Sequence, residues 1–305
     1  MKAGLCMIVR DEERTIGGCL DSVAGVCDEI VVVDTGSTDR TRQILVQRYG
    51  IVPIAHPITN SQYMGLAAAR NLAFDHARSP WILVLDADER LSPQAVERIR
   101  ALPESGGPAG YFMAWNTYRG DSVVEDYKLA LFRKGFHSTG LMHENVQISV
   151  RDAGQQAVWL EGAEIIHLPE TQKDPLRCGH PTRLEQAIEK EPDWHRYYWF
   201  LGYQLLRMGE VKAAIGHLET AARSRSQRFP VECLNSMMLL AELHAQRGDR
   251  AALRRQLQEA ASFLAEVATD FEVRINHRLP AWLESAMMLE AEGRLDEIRA
   301  YHFAC

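Results

Sequence analysis

The sequence predicts an α/β domain built on a mostly parallel sheet, followed by an all-α domain of helical hairpins. Three observations carry this expectation. Short apolar runs alternate with helical periodicity through the first third of the chain. The apolar run over 81–85 ends abruptly in Asp86, Asp88 and Glu89. From Leu184 onward Gly and Pro are sparse, and Ala, Leu, Glu, Gln and Arg dominate, which favours helix. The boundary is expected near residue 175, giving domains over 1–175 and 176–305.

In order, residues 5–9 read as a short apolar strand. Residues 15–23 place Ile16, Cys19, Leu20 and Val23 at helical spacing. Residues 29–33 are β-branched and apolar after Glu29, a second strand. Ser37 can cap a helix over 39–49, with Ile44 and Leu45 inward and Gly50 closing it. Residues 51–55 read as a third strand. Residues 63–78 read as a helix burying Leu66, Ala69, Leu72, Ala73 and Ala77, broken by Ser79-Pro80. The run that follows suits a strand covered on both faces. Ser92-Pro93 starts another helix, with Pro in the tolerated first position. This β-α-β-α order predicts parallel strands with right-handed crossovers. After Pro103, residues 111–115, 127–132, 146–150 and 158–167 read as strands added antiparallel. Residues 169–174 read as a linker.

The helical part carries Leu201-Gly202, then Gly209, then Ala213-Ala214, the order of small residues in tetratricopeptide helix pairs. Gly209 and Gly248 are 39 residues apart, and Gly248 and Gly293 are 45 apart. A strict array repeats every ~34 residues. Irregular hairpins are therefore expected, either stacked as a tetratricopeptide-like unit or packed as a plain bundle.

Composition narrows the function. At 305 residues the chain can bury a sizeable core, and its 46% hydrophobic and 25% charged content is ordinary for a globular protein. A net charge of -7 argues against a broad nucleic-acid face. No run of ~18 apolar residues predicts a membrane span. Residues 4–9 are too short for the apolar core of a signal peptide. The six cysteines form no Cys-x-x-Cys pair and read as small hydrophobes of a reducing, cytoplasmic protein.

Several residues can carry chemistry. Asp86 and Asp88, at the carboxyl end of a parallel strand, stand where open α/β sheets bind ligands. Two carboxylates one residue apart can hold a divalent cation, which in turn can hold a diphosphate. A strand that simply stops in a polar turn is the alternative. Asp34 ends the second strand and could accept hydrogen bonds from a uracil or ribose. Ser37 and Asp39 equally suit helix capping. Arg70 could pair with a diphosphate in bidentate fashion, although an exposed surface arginine is the commoner case. Glu144, beside His143, could serve as a general base. His167 ends an apolar run and could complete a metal shell or be structural.

Taken together, these motifs resemble a known family. The segments Cys6-Met7-Ile8-Val9-Arg10-Asp11-Glu12-Glu13, 28–39, Ala69-Arg70-Asn71, 81–89, Leu131-Phe132-Arg133, His143-Glu144 and His167 occur in order. Over roughly residues 3–170 the chain is similar to family 2 glycosyltransferases of GT-A fold. The similarity points to the group that includes lipopolysaccharide-core β-glucosyltransferases and bacteriocin S-glycosyltransferases. The helical tail resembles the tetratricopeptide extension of some members. The resemblance implies that Ile8, Arg10 and Glu12 cradle the base of a UDP-sugar and that Asp34 binds its uridine. It places Arg70, Asp86 and Ala87 near the donor, and Asp88 and His167 on Mn²⁺ or Mg²⁺. It puts the catalytic base at Glu144, with His143 binding substrate or orienting it. Many members carry an aspartate as base, so Asp126 and Asp121 are the alternatives. Asn60-Ser61-Gln62-Tyr63 departs from the aromatic-acidic stretch of relatives.

The expected activity is metal-dependent, inverting transfer of a hexose from a UDP-sugar to a peptide, protein or glycan. Two rivals are a sugar nucleotidyltransferase and a non-catalytic helical-repeat scaffold with a decayed transferase domain. The first normally needs a Gly-rich loop after the first strand, and none occurs between Leu5 and Ile16.

Overall fold

The computed structural model describes residues 3–58, 66–169 and 181–301. The described residues divide into two compact units, the first within 3–169 and the second within 181–301.

The first unit is an eight-stranded mixed sheet in the order β3-β2-β1-β4-β7-β6-β8-β5. The first four strands are β1 (Ala3–Val9), β2 (Cys27–Asp34), β3 (Ile54–Ala55) and β4 (Trp81–Val84), all mutually parallel. Helices α1 (Ile16–Val23), α2 (Thr41–Tyr49) and α3 (Leu66–His76) make the crossovers. β1 is buried almost throughout because both faces are covered. Leu5, Met7 and Val9 pack with Ile16, Cys19, Leu20 and Val23 of α1. The same core takes in Ala95 and Ile99 of α4 (Pro93–Ala101). Cys6 lies under α3, where its thiol meets the Ala73 carbonyl at 3.5 Å. The remaining strands are β5 (Glu89–Leu91), β6 (Gly110–Arg119), β7 (Ser122–Arg133) and β8 (Ala157–His167).

Several expectations need correction. The strand expected over 146–150 is a helix, α5 (Gln147–Asp152). Its Val-Gln-Ile-Ser-Val pattern alternates, but the Asn145 side chain accepts the Ile148 amide and turns the backbone before a strand can form. β8 runs parallel to β6, not antiparallel; its antiparallel partner is β5. β5 itself is unread in the sequence, because three residues with two charges resemble a turn. The helix expected from Asp39 begins at Thr41, and Ser37 does not cap it. Asp39 accepts the Thr41 amide and hydroxyl instead. The expected helix over 63–78 is seen as α3; residues 63–65 lie outside the described residues, as do Asn60-Ser61-Gln62-Tyr63 and most of the expected linker.

The second unit is helical: α6 (Pro181–Lys190), α7 (Arg196–Arg207), α8 (Val211–Ser224), α9 (Pro230–Gln246), α10 (Arg250–Glu266), α11 (Phe271–Ile275) and α12 (Arg278–Glu292). α9 is buried along most of its length, so it is the central helix of this unit. Gly209, Gly248 and Gly293 each follow a helix in the left-handed region, at φ 83°, 69° and 77°. The short α11, interposed between α10 and α12, explains why the last two of these glycines are spaced more widely than a strict repeat allows. Gly202 of α7 lies against α8: a Cβ there would meet Leu218 Cγ at 2.7 Å and the Ala214 carbonyl at 3.2 Å.

Candidate active site

The carboxyl ends of β1, β2 and β4 lie on one edge of the sheet, and three groups of side chains gather there. The first surrounds the turn after β4. Asp86 is held from both sides: Arg70 Nη2 donates to Oδ1 at 2.9 Å and Lys128 Nζ to Oδ2 at 3.3 Å. Arg70 Nε also donates to Glu144 Oε1 at 2.8 Å. Lys128 donates at 2.8 and 2.6 Å to the two oxygens of Glu89, which is fully buried. Glu89 Oε2 in turn accepts the Asp86 amide at 2.8 Å, and the Glu89 amide returns to the Asp86 carbonyl at 3.0 Å.

These charges set one another's protonation. Burial alone would push the Asp86 carboxyl up, but Arg70 and Lys128 outweigh it and hold the group well below the usual carboxylate range. Burial pushes Glu89 up, with Lys128 opposing and the Asp86 charge reinforcing the rise. Burial disfavours the Arg70 and Lys128 cations, yet the neighbouring acids more than restore them. Two basic side chains thus serve three acids, Asp86, Glu89 and Glu144.

Sequence reasoning put Arg70 more readily on the surface; its side chain is only 15% exposed. α3 aims it inward, while the next residue, Asn71, fastens the loop that carries Glu144. Asn71 Nδ2 donates to the Ser138 carbonyl at 2.9 Å and Oδ1 accepts the Ser138 amide at 2.7 Å. Arg70 and Asn71 thus dock one loop at two points. Glu144 is 7% exposed in its side chain. Its neighbour His143 adopts φ 48°, a left-handed backbone uncommon outside glycine.

The second group lies one residue further along. Pairing of β5 with β8 sets Glu89 opposite His167, and the Leu168 amide donates to the Asp88 carbonyl at 2.9 Å. Asp88 Oδ2 and His167 Nε2 come within 3.6 Å. Thr117 Oγ1 holds His167 Nδ1 at 2.9 Å, and the Trp115 ring stacks on the imidazole at 4.9 Å. With Nδ1 engaged by Thr117, His167 Nε2 and Asp88 Oδ2 are the two atoms here that could share a cation. Among the described residues no cluster of three such ligands forms. Asp88 and His167 would supply two positions, and phosphate oxygens and water suit the others of a hard cation. The donor set fits Mn²⁺ or Mg²⁺ on that basis.

The third group joins the loops after β1 and β2. Amides of Asp11, Glu12 and Glu13 donate to Ser37 Oγ, Thr41 Oγ1 and Asp39 Oδ2. Asp11 Oδ1 accepts the Thr38 and Asp39 amides, and Glu13 accepts the Arg40 amide and Nε. Burial lifts the Asp11 carboxyl, but these donors outweigh it and hold it below its usual value. Arg10 donates to the Ile58 carbonyl at 2.9 Å, and Glu12 accepts the Thr15 hydroxyl at 2.7 Å. Asp34 is buried; Oδ1 accepts the Gly36 and Ser37 amides and Oδ2 pairs with Arg42 at 3.2 Å. Ile8 is half-buried on β1 and Ala87 is buried in the turn. Much of this motif's polar capacity is spent on its own loops.

A family model described as glycosyl transferase family 2 matches residues 5–159. The chain belongs to that family. Its class of activity is therefore glycosyl transfer. A TPR repeat-containing protein of Synechococcus elongatus is 28% identical, over 96% of this chain and 72% of its own length. The lipopolysaccharide core biosynthesis glycosyltransferase LpsC of Rhizobium meliloti is 33% identical over 42% of this chain and 50% of its own length. The chain thus spans about half of that second relative. The crystal structure of S. aureus TarS in complex with UDP-GlcNAc matches with a TM-score of 0.55 at 16% identity, over 84% of this chain and 89% of that one, a likeness of fold.

Lys128 and Thr117, which hold Asp86 and His167, belong to the candidate site and were missed by the sequence reading. Lys128 left a signal: a lone lysine in the apolar strand run 127–132 needs a buried carboxylate partner. Thr117 left none, since a threonine in a strand is ordinary.

Proposed function

We propose that this chain transfers a hexose from a UDP-sugar to a peptide, protein or glycan acceptor, with inversion and with a divalent cation. The observation that carries the reading is the Asp86-Ala87-Asp88 turn: Asp86 clasped by Arg70 and Lys128, Asp88 facing His167. Arg70 Nη1 is buried with no hydrogen-bond partner among the described residues, a donor that an anionic ligand oxygen would satisfy. TarS, of similar fold, was crystallised with UDP-GlcNAc, which favours a sugar nucleotide as donor.

In this mechanism the donor lies over the carboxyl ends of β1, β2 and β4. Ile8, Arg10, Glu12 and Asp34 border the nucleoside, and Asp86 and Ala87 border the ribose and diphosphate. Asp88 and His167 would hold Mn²⁺ or Mg²⁺, which when bound supplies Lewis-acid stabilisation of the leaving diphosphate. Arg70 adds a fixed positive charge near the same oxygens. Glu144 takes the acceptor proton as the acceptor attacks the opposite face of the sugar, and His143 contacts substrate beside it. Asp126 is the second candidate base, because it lies on the same face of β7 as Lys128 and two residues away, while Glu144 is committed to Arg70.

The test is a panel of UDP-sugars assayed for Mn²⁺-dependent UDP release. Asp88→Asn should lower turnover by about 100-fold or more, the effect of losing several kcal/mol of transition-state stabilisation. Full turnover by Asp88→Asn at saturating Mn²⁺ would refute the assignment. Pyrophosphate as product would favour a nucleotidyltransferase, and no binding of UDP or Mn²⁺ a non-catalytic scaffold. Glu144→Gln should keep UDP binding and lose about 10²–10⁴-fold in transfer; unchanged transfer there, with loss in Asp126→Asn, moves the base to Asp126.

A further inference from the structure

The Lys128–Glu89 pair has no part in the chemistry above, yet it touches the Asp86 residue at both ends. Glu89 Oε2 accepts the Asp86 amide, and Lys128 Nζ reaches Asp86 Oδ2. Lys128 spends its three donors on Glu89 Oε1, Glu89 Oε2 and Asp86 Oδ2. It therefore holds no proton donor in reserve for a ligand. The Glu89 side chain is 1% exposed, and that of Asp86 is 37% exposed. The pair is thus an internal brace whose outer end is the part-exposed Asp86 carboxylate, which Arg70 holds from the other side.

The two braced residues come from distant parts of the chain, β7 and β5. β5 also carries the register that brings His167 opposite Glu89 and so beside Asp88. A shift of Glu89 would move the Asp86 amide, the Asp86–Glu89 turn and the Asp88 carboxylate together. Burying an ion pair is not needed for stability, since an apolar pair of similar volume commonly serves as well. A buried pair that bonds to a part-exposed acid at the rim of the sheet has a different use.

We propose that Lys128 and Glu89 are positioning residues that fix Asp86 and, through the turn, Asp88 for the donor diphosphate and its cation. The proposal rests on the reading of that turn given above. Lys128→Met alone strands the Glu89 charge and should destabilise the fold, so it cannot decide the matter. The double variant Lys128→Met with Glu89→Gln removes both charges and keeps an acceptor for the Asp86 amide. Its thermal midpoint should return most of the way to that of the wild type. Its Mn²⁺ affinity in the presence of UDP, read by electron paramagnetic resonance of free Mn²⁺, should stay about 10–100-fold weaker, the usual effect of losing an outer support of a metal ligand. Donor turnover should fall by a similar factor with kcat changing more than KM for acceptor.

Recovery of both stability and Mn²⁺ affinity in the double variant would overturn the proposal and leave the pair a structural salt bridge. A wild-type chain that binds neither UDP nor Mn²⁺ overturns the site reading and, with it, this role. The two failures are told apart by the wild-type measurement alone.

Discussion

Asp86 shows how far single residues were readable in the chain. The run of apolar residues ending in acids located the turn, and the family pattern separated the two aspartates by role. The geometry adds a reason: both Asp86 oxygens are taken by cations, so Asp88 is the acid left to face His167. Neither Arg70's burial nor its double pairing was visible, because both partners lie far along the chain, at Asp86 and Glu144. A pH experiment follows from the same contacts. The folded-state value of Asp86 is depressed, so its contribution to stability is present above its unfolded value, about 3.9, and is lost as pH falls toward the folded value. The difference in denaturation midpoint between the wild type and Asp86→Asn should be flat from about pH 5 to about pH 8 and shrink below about pH 4. A difference that grows on acidification would show that the cations do not stabilise the charged form.

Elements were legible where one face or both faces were buried, and illegible where side chains decided the backbone. β1 and β4 were read correctly because parallel strands covered on both sides leave continuous apolar runs, and β2, buried only at its carboxyl end, was read from its β-branched residues. α4 was read from its punctuation: Ser92 Oγ accepts the Ala95 amide at 3.1 Å, with Pro93 in the first turn. Ser92→Ala should cost about 1 kcal/mol in chemical denaturation, and since α4 underlies β8, the loss should come without a change in UDP binding. β5 and α5 were missed for one reason. Each is short, and each owes its conformation to a partner remote in sequence or to one polar side chain: β8 for the first, Asn145 for the second.

At the scale of the molecule, composition alone separated the α/β part from the helical part, since the two use Gly, Pro and β-branched residues differently. The irregular glycine spacing announced helical hairpins, while the insertion of α11 had no periodic signature. Leu201-Gly202 was the most informative pair there, because Gly202 of α7 lies directly against Leu218 and the Ala214 carbonyl of α8. Gly202→Ala should destabilise the helical unit by about 1–3 kcal/mol through overpacking against Leu218. The readout is the denaturation midpoint followed by far-ultraviolet dichroism, and an unchanged midpoint would mean the helices part at little cost. Among the described residues no helix is long and apolar enough to cross a membrane.

The stitching between residues 11–13 and 37–41 makes those two segments a single cassette rather than two independent loops. Exchanging either piece alone would leave the other's amides and carboxylates without mates, so the two would have to be transplanted together.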